Sequence, residues 1–220
     1  MTGFFKELAS FNFNYVLDAV SWRLPDWLFK YVRTYLLCAE RPKLLCRNYD
    51  SHFMRFADVD DIPLIVPLGI SRRLIRERLD NGDRCLIMGK DNSVHTIIWA
   101  SPGKRYLKVG GAILDPGDDG VIFYGGYTAE EVRMLGLFPT AFNAIYNSFV
   151  SEKRTRVYAS IHSLNRLSYK THIRMNFKPV GEATHFSLLG LKFTYYKYWP
   201  HRVKKFTVFI KVPPEGLFWN

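Results

Sequence analysis

The segment YTAEEVRMLGLFP, at residues 127–139, combines residue types that suit anion binding. A strand-like run precedes it, and the apolar spacing of residues 137–150 predicts a helix after it. The N-terminus of a helix offers unpaired N–H groups and a partial positive charge. Gly136 lets the backbone approach a ligand, and Pro139 fits a first helical turn. The junction therefore predicts a phosphate or pyrophosphate site, and a glycine-containing turn that binds nothing is the alternative.

A second polar segment, NRLSYKTHIRMNF, occupies residues 165–177. Asn165 can cap a helix, and Ser168 and His172 share one helix face because they are four residues apart. Asn176 stands where this helix must stop, and Asn tolerates the left-handed conformation of a C-cap. The pattern predicts a short helix with a polar face.

Together these segments resemble the GNAT superfamily of N-acetyltransferases over about residues 52–190. MRFADVDDIP resembles the opening strand and first helix of that fold. Arg133-Met-Leu-Gly136-Leu-Phe138 resembles the pyrophosphate motif Arg/Gln-x-x-Gly-x-Gly/Ala. The later motif, Asn-x-x-Ala/Ser followed by Tyr-x-x-x-Gly-Phe, is matched by Asn165, Ser168, His172, Asn176 and Phe177. Three residues depart from the pattern, with Phe138 for a small residue, His172 for Tyr and Asn176 for Gly.

The resemblance implies an acyl-coenzyme A cosubstrate, most often acetyl-CoA, and no metal. Backbone groups of residues 134–138 would hold the pyrophosphate. The pantetheine arm would lie in a splay between the strand that ends at Thr128 and the strand at 156–162. The cofactor-binding residues implied in this way are Tyr127, Thr128, Arg133, Met134, Leu135, Gly136, Leu137, Phe138, Asn165, Arg166, Ser168 and Lys170.

The implied reaction is direct attack by the amine of a small molecule, such as an amino sugar or amino acid, on the thioester. A backbone N–H of the splay would polarise the thioester carbonyl. The family's usual acid is a Tyr at the position of His172, whose ordinary pKa of about 6.5 allows it to donate or accept a proton. A helix His bonded to a neighbouring carbonyl is the alternative. The base is left open, with Tyr127 and Glu131 as catalytic candidates beside Tyr124, Glu130, His95, Asp115 and His162.

Hydrophobic periodicity along the chain predicts the elements that position these residues. Their order, β-α-α-β-β-β-β-α-β-α-β, predicts a mixed α/β fold with a central, mostly antiparallel sheet flanked by helices. The predicted strands are 52–57, 84–89, 93–100, 104–114, 120–128, 156–162, 178–189 and a run from Phe206 to Val212. The predicted helices run towards Leu68, from Ser71 to Leu79, over 137–150 and over 165–175.

The chain ends are predicted to extend this domain, which would span residues 51–191. In residues 1–50, the run Asp26–Cys38 shows helical spacing, with Tyr31, Val32 and Tyr35 on one face. It predicts an N-terminal helical extension packed on the domain, and a homodimer contact or a peripheral membrane contact is the alternative. Residues 192–220 are predicted to add a strand-containing C-terminal extension packed on the domain.

Composition bounds the function. The 220 residues carry 31 Lys and Arg against 20 Asp and Glu, a formal charge of +11. Residues 133–178 hold eight basic residues against a single Glu152, which favours an anionic ligand. Three cysteines without a CxxC motif argue against a disulfide framework or a zinc cluster and fit a reducing cytoplasm. The sequence contains no run of 18 uncharged apolar residues, so it predicts no transmembrane helix. The first residues do not resemble a signal peptide.

Two other functions remain open on the sequence. An apolar N-terminal extension and an aromatic C-terminus could accept a long acyl chain, which would give an N-acyl amino acid synthase. Aromatic residues interleaved with Lys and Arg at 192–211 could instead serve a non-catalytic domain that binds nucleic acid or an anionic membrane. The transferase interpretation expects no nucleic acid partner and a cytoplasmic protein, at the membrane surface if the N-terminal segment binds lipid.

Overall fold

The computed structural model describes residues 16–17, 20–21, 23–25, 27–43, 51–107, 112–133, 135–198 and 206–208. Its strands are Phe29–Glu40 (β1), Phe53–Phe56 (β2), Arg84–Lys90 (β3), Ser93–Ser101 (β4), Arg105–Leu107 (β5), Ala112–Leu114 (β6), Gly120–Thr128 (β7), Arg156–His162 (β8), Lys178–Leu188 (β9), Leu191–Tyr198 (β10) and Phe206–Val208 (β11). Its α-helices are Ile62–Ile65 (α1), Arg72–Asp80 (α2), Leu137–Val150 (α3) and Arg166–Arg174 (α4).

Eight strands form one sheet in the order β10-β9-β1-β8-β7-β4-β3-β2. Neighbouring strands are antiparallel except for β7 and β8, which run parallel on either side of the connection through α3. A small sheet of order β11-β6-β5 packs beside it. The predicted fold class, a mixed α/β fold around a mostly antiparallel sheet, is confirmed.

Local sequence signals set the helix ends. Asp58 forms a capping box at the turn before α1, and its carboxylate accepts the N–H of Asp60. The hydroxyl of Ser71 accepts the N–H of Leu74 at the start of α2. These caps confirm the predicted helix starts after the first strand and after residue 70.

The large sheet buries a separate core on each face. The α3 face carries alternate residues of the central strands against α3, with Phe142 and Phe149 fully buried. The opposite face, which we call the α2 face, packs against α1 and α2 around Trp99 and Ile75. Further along the α2 face, Leu114 of β6 covers the sheet. Since both faces of the sheet are covered, its central strands are buried on both sides.

The predicted helix over Asp26–Cys38 is wrong, because residues 29–40 form strand β1 between β8 and β9. Leu36 is buried on the α2 face of the sheet and Leu37 on the α3 face, so odd and even positions of β1 are both apolar. An apolar run of this kind imitates helical spacing when only periodicity is considered. Arg33 ties the strand to β9 by donating to Glu182 at 2.7 Å. The boundary predicted at residue 50 therefore does not separate β1 from the domain.

The C-terminal strands join both sheets. β10 pairs with β9 at one edge of the large sheet, and β11 pairs with β6 in the small one. The single run predicted at 104–114 contains two short antiparallel strands, β5 and β6. Most of the predicted N-terminal extension lies outside the described residues, so its packing stays a prediction. None of the described helices has the length and hydropathy of a membrane span.

The central position of β1 gives a stability prediction. Leu37 is 0% exposed, so Leu37→Ala should lower the free energy of unfolding by about 2–5 kcal/mol through lost burial and a cavity. Leu191→Ala on edge strand β10, where the side chain is 65% exposed, is the matched control and should cost far less. Urea unfolding of both variants measures the difference, and equal midpoints would contradict the placement of β1 in the core.

Candidate functional site

The centre of the candidate site is a split between β7 and β8. These parallel strands pair from Gly120 with Arg156 to Phe123 with Ala159, and no pair follows. β7 continues to Thr128 and β8 to His162, so both strands run on beyond their last shared pair. The splay that the resemblance implied is present.

A β-bulge bends β7 where the split begins. The register with β4 pairs Trp99 with Tyr124 and Ile97 with Tyr127, which leaves one extra residue on β7. The extra length falls at Gly125 and Gly126. Gly125 has a φ of +53°, a left-handed conformation that favours glycine. The bulge turns β7 away from β8 at this point.

The two glycines of the bulge face opposite sides of the sheet. A Cβ on Gly126 would lie 2.6 Å from Cε2 of Phe138, so Gly126 lets this ring pack directly on the backbone of the α3 face. A Cβ on Gly125 would lie 3.1 Å from Trp99 and 3.3 Å from a terminal nitrogen of Arg78, on the α2 face. The split is therefore approached by different side chains from its two sides.

The N-terminus of α3 lies at the end of the loop that follows β7. Gly136 is the N-cap residue with a φ of 92°, and no side chain caps the helix. The N–H groups of Leu137 and Phe138 in the first turn have no acceptor within the helix, and Pro139 has no N–H. The helix dipole adds a partial positive charge at the same place. Leu135 is exposed and Leu137 is buried, while Met134 lies outside the described residues.

Arg133 folds back onto the end of β7. Its Nε donates to the carbonyl of Thr128 at 3.1 Å, and a terminal nitrogen donates to Glu130 at 2.8 Å. The N–H of Ala129 donates to His95 of β4, so strand alternation directs the backbone groups of Gly126 and Thr128 towards the split. The sequence assigned this role to Tyr127 and Thr128. The structure places Thr128 there but turns the backbone of Tyr127 towards β4.

His172 lies in an aromatic cluster below the N-terminus of α3. Its ring centroid is 5.9 Å from that of Phe138 and 5.0 Å from that of Phe177. Nδ1 lies 2.8 Å from the carbonyl of Ser168, and since a carbonyl only accepts, Nδ1 carries the proton. Burial lowers the pKa of His172 below its ordinary value of 6.5, so the ring is neutral at pH 7. These contacts favour the alternative in which His172 packs and bonds within its own helix.

The other residues carried over from the later motif lie at the two ends of α4. The side chain of Asn165 accepts the N–H of Ser168 at 3.0 Å and caps the helix as predicted. Asn176 ends it with a φ of 67°, and Phe177 donates back to the carbonyl of His172 at 3.0 Å. The charged side chains of α4 that face solvent are Arg166, Lys170 and Arg174.

The candidate bases are spread over the molecule. Glu131 is exposed beyond the end of β7, and Tyr127 is half-buried against the α2-side core. Tyr124 is buried, and its hydroxyl donates to Asp83 at 2.6 Å. Burial first, and then the nearby Asp83 charge, raises the pKa of Tyr124, so it stays protonated. Among the described residues, no group of three His, Cys, Asp or Glu side chains could hold a metal ion.

Sequence reasoning missed a buried polar cluster on the α2 face beside the bulge. Arg78, Asp83 and Arg105 are each 3–4% exposed. Asp83 accepts from Arg105 at 2.6 Å and from Tyr124 at the same distance. A signal was available, because Arg78 occupies the same helical stripe as Leu74 and Ile75 in an otherwise apolar face of α2.

A cleft of about 350 Å³ lies elsewhere, where β2 ends and β3 begins. Its lining residues are Phe56, Ala57, Asp83, Arg84 and Cys85. β4 and β3 stand between β7 and β2 in the sheet, and Asp83 belongs both to this cleft and to the buried polar cluster.

Comparison with known proteins supports the fold. No protein-family profile and no curated protein matches the sequence. A GCN5-related N-acetyltransferase-like protein from Streptococcus suis matches with a TM-score of 0.52 at 13% identity, over 77% of this chain and 66% of that chain. A protein assigned to the GNAT family from Novosphingobium aromaticivorans gives 0.52 at 10%, over 70% and 63%. A GNAT-family acetyltransferase from Colwellia psychrerythraea gives 0.50 at 12%, over 71% and 55%.

The chain thus spans less than two thirds of the length of each of these three solved structures. At these identities the likeness concerns the fold. The chain has the fold of GNAT acetyltransferases, which confirms the resemblance at that level.

The contact between Gly126 and Phe138 can be tested by a double-mutant cycle. Gly126→Ala should destabilise the protein by about 1–3 kcal/mol because the new methyl group overlaps the ring. The same change in a Phe138→Leu background should cost clearly less. Gly103→Ala, with nothing nearer than 4.0 Å, is the matched control and should be close to neutral. Additive effects of Gly126→Ala and Phe138→Leu would show that the ring does not lie on β7.

The neutral state of His172 predicts a pH dependence of stability. Because its pKa is lower in the folded than in the unfolded chain, its contribution is complete above about pH 6.5 and is lost as the pH falls towards the folded-state pKa. His172→Phe should therefore reduce the loss of stability between pH 7.5 and pH 5, measured as the urea midpoint. Ser168→Ala keeps the carbonyl that holds the ring and should retain the wild-type profile. An unchanged slope in His172→Phe would refute the assignment.

Proposed function

We propose that the protein is an acyl-CoA-dependent N-acyltransferase that transfers an acyl group, most simply acetyl, to the amine of a small molecule. The observation that carries the proposal is the opening of β7 from β8 after Phe123, next to the uncapped N-terminus of α3. Unpaired strand edge and unpaired helix N–H groups occur together there. The first suits an amide-bearing chain, and the second suits a pyrophosphate.

The residues present fit a coenzyme A thioester. The left-handed Gly136 leaves the first turn of α3 open to a phosphate, and Arg166 and Lys170 add positive charge on exposed positions of α4. Gly126 and Thr128 direct backbone N–H and C=O groups into the split, where pantetheine amides could bond, although the carbonyl of Thr128 already accepts from Arg133. A bound thioester supplies an activated acyl carbon. Phe138 lies on Gly126, so its ring borders the path along β7.

The chain's own residues contribute mainly by positioning. A backbone N–H of the split is fixed in the sheet and can bond the acyl oxygen, where it stabilises developing negative charge. His172 is neutral and its Nδ1 proton is already bonded to Ser168, so its role in this proposal is to hold Phe138 and Phe177. Tyr127 and Glu131 remain the predicted candidates for taking the proton from the amine, directly or through a water molecule.

The proposal is tested by ligand binding and turnover. CoA and acetyl-CoA at a hundredfold excess over Kd should stabilise the protein by about 2.7 kcal/mol, which raises the Tm by about 5–10 °C. Purified protein with acetyl-CoA and a panel of amines should release free thiol. No Tm rise with CoA and no thiol release with any amine would overturn the proposal.

Charge variants locate the binding site. Replacing both Arg166 and Lys170 by Gln should weaken CoA binding at least tenfold, measured by calorimetry, and should reduce its salt dependence. The matched control replaces Arg73 and Arg76 by Gln, which are exposed on α2 on the other side of the sheet. Equal losses in both double variants would show that only the overall charge matters.

A further inference from the structure

The buried cluster on the α2 face contains more positive than negative charge. Arg78 and Arg105 bring two guanidinium groups beside the single carboxylate of Asp83, and all three residues are 3–4% exposed. Asp83 is engaged by Arg105 and by the hydroxyl of Tyr124, both at 2.6 Å. One of the two guanidinium groups has no ion-pair partner among the described residues.

That charge belongs to Arg78. Its guanidinium lies over the rings of Trp99 and Tyr124, at 5.1 Å from each centroid. Its Nε is buried and has no hydrogen-bond partner within the described part of the chain. Burial lowers the pKa of Arg78, but an Arg guanidinium stays protonated at neutral pH. A buried charge without a hydrogen-bonded partner is costly, so its retention requires a reason.

The position of Arg78 indicates the reason. A terminal nitrogen lies 3.3 Å from the Cβ position of Gly125, the residue of β7 two places beyond the last pair with β8. Arg78 thus stands at the start of the split on the α2 face. Phe138 and the N-terminus of α3, the elements proposed to contact the acyl donor, lie on the opposite face. Gly125 is exposed although Arg78 is buried, so a second substrate that reaches the backbone at Gly125 comes close to the guanidinium.

We propose that Arg78 binds the carboxylate of the acceptor, so that the amine substrate of this protein is an amino acid or a related amino carboxylic acid. A guanidinium presents paired N–H donors that match a carboxylate, and the rings of Trp99 and Tyr124 hold its plane. This inference rests on the proposed acyltransferase function and narrows its acceptor class.

The test compares acids with their uncharged amides. The full chain, saturated with CoA, is titrated with a panel of N-acetyl amino acids and with the matching N-acetyl amino acid amides, and binding is measured by calorimetry or ligand-observed NMR. At least one acid should bind tenfold or more tightly than its amide. In turnover, the free amino acid should show a lower KM than its amide by a similar factor.

Variants of α2 assign the preference to Arg78. Arg78→Met keeps an unbranched apolar stem but removes the guanidinium, and it should reduce the acid-over-amide ratio at least tenfold, while Arg78→Lys keeps the charge and should retain part of the preference. Arg76→Met, exposed on the same helix, is the matched control and should leave the ratio unchanged. The CoA-induced rise in Tm checks that each variant is folded.

Each outcome decides the inference. Equal binding of acids and amides by the wild-type chain overturns it, and so does an unchanged ratio in a folded Arg78→Met. If Arg78→Met does not fold, the ratios of the wild type and Arg78→Lys decide instead. Failure of CoA to bind would refute the acyltransferase proposal itself, whereas CoA binding without any acid preference would refute only the role of Arg78.

Discussion

A strand that leaves its parallel neighbour exposes backbone N–H and C=O groups inside the molecule, and each of these groups needs a partner. β7 leaves β8 after the pair of Phe123 with Ala159, and Gly126 and Thr128 then face the gap. Arg133 satisfies the carbonyl of Thr128 by folding back from the loop. An exposed Arg side chain therefore bonds a backbone carbonyl that a neighbouring strand would bond in a continuous sheet.

The bulge that opens the gap also divides the site between the two faces of the sheet. Gly126 accepts the ring of Phe138 on the α3 face, and Gly125 leaves room for Arg78 on the α2 face. A side chain at position 126 would collide with the ring of Phe138, and one at position 125 would crowd Trp99 and Arg78. The sheet therefore separates an apolar, aromatic approach from a cationic one, and a reaction between a thioester and an amino acid needs two such approaches to one point.

The sequence predicts those elements that have either a single apolar face or clear turn residues at their ends. α3 shows a single apolar face, and the strands β3 and β4 are bounded by clear turn residues, so their limits agree with prediction within about two residues. β1 fails because both its faces are buried, which removes the alternation that marks a strand. In the site, Gly136 and Asn176 were predictable because only a few residue types tolerate a left-handed backbone. The surroundings of Arg78 were not predictable, because Trp99 and Tyr124, whose rings lie under its guanidinium, come from the separate strands β4 and β7.

The three residues that depart from the GNAT pattern, Phe138, His172 and Asn176, all contribute to one packing arrangement. Phe138 replaces a small residue and so requires an apolar surface for its ring, which Gly126 provides from β7 and His172 provides from α4. The neutral His172, bonded to the carbonyl of Ser168, contacts the rings of both Phe138 and Phe177. Asn176 forms the tight turn that brings Phe177 back to this cluster. The N–H of Phe177 donates to the carbonyl of His172 in this turn. At the position where the pattern has a Tyr, His172 thus bonds within its own helix and packs against Phe138 and Phe177.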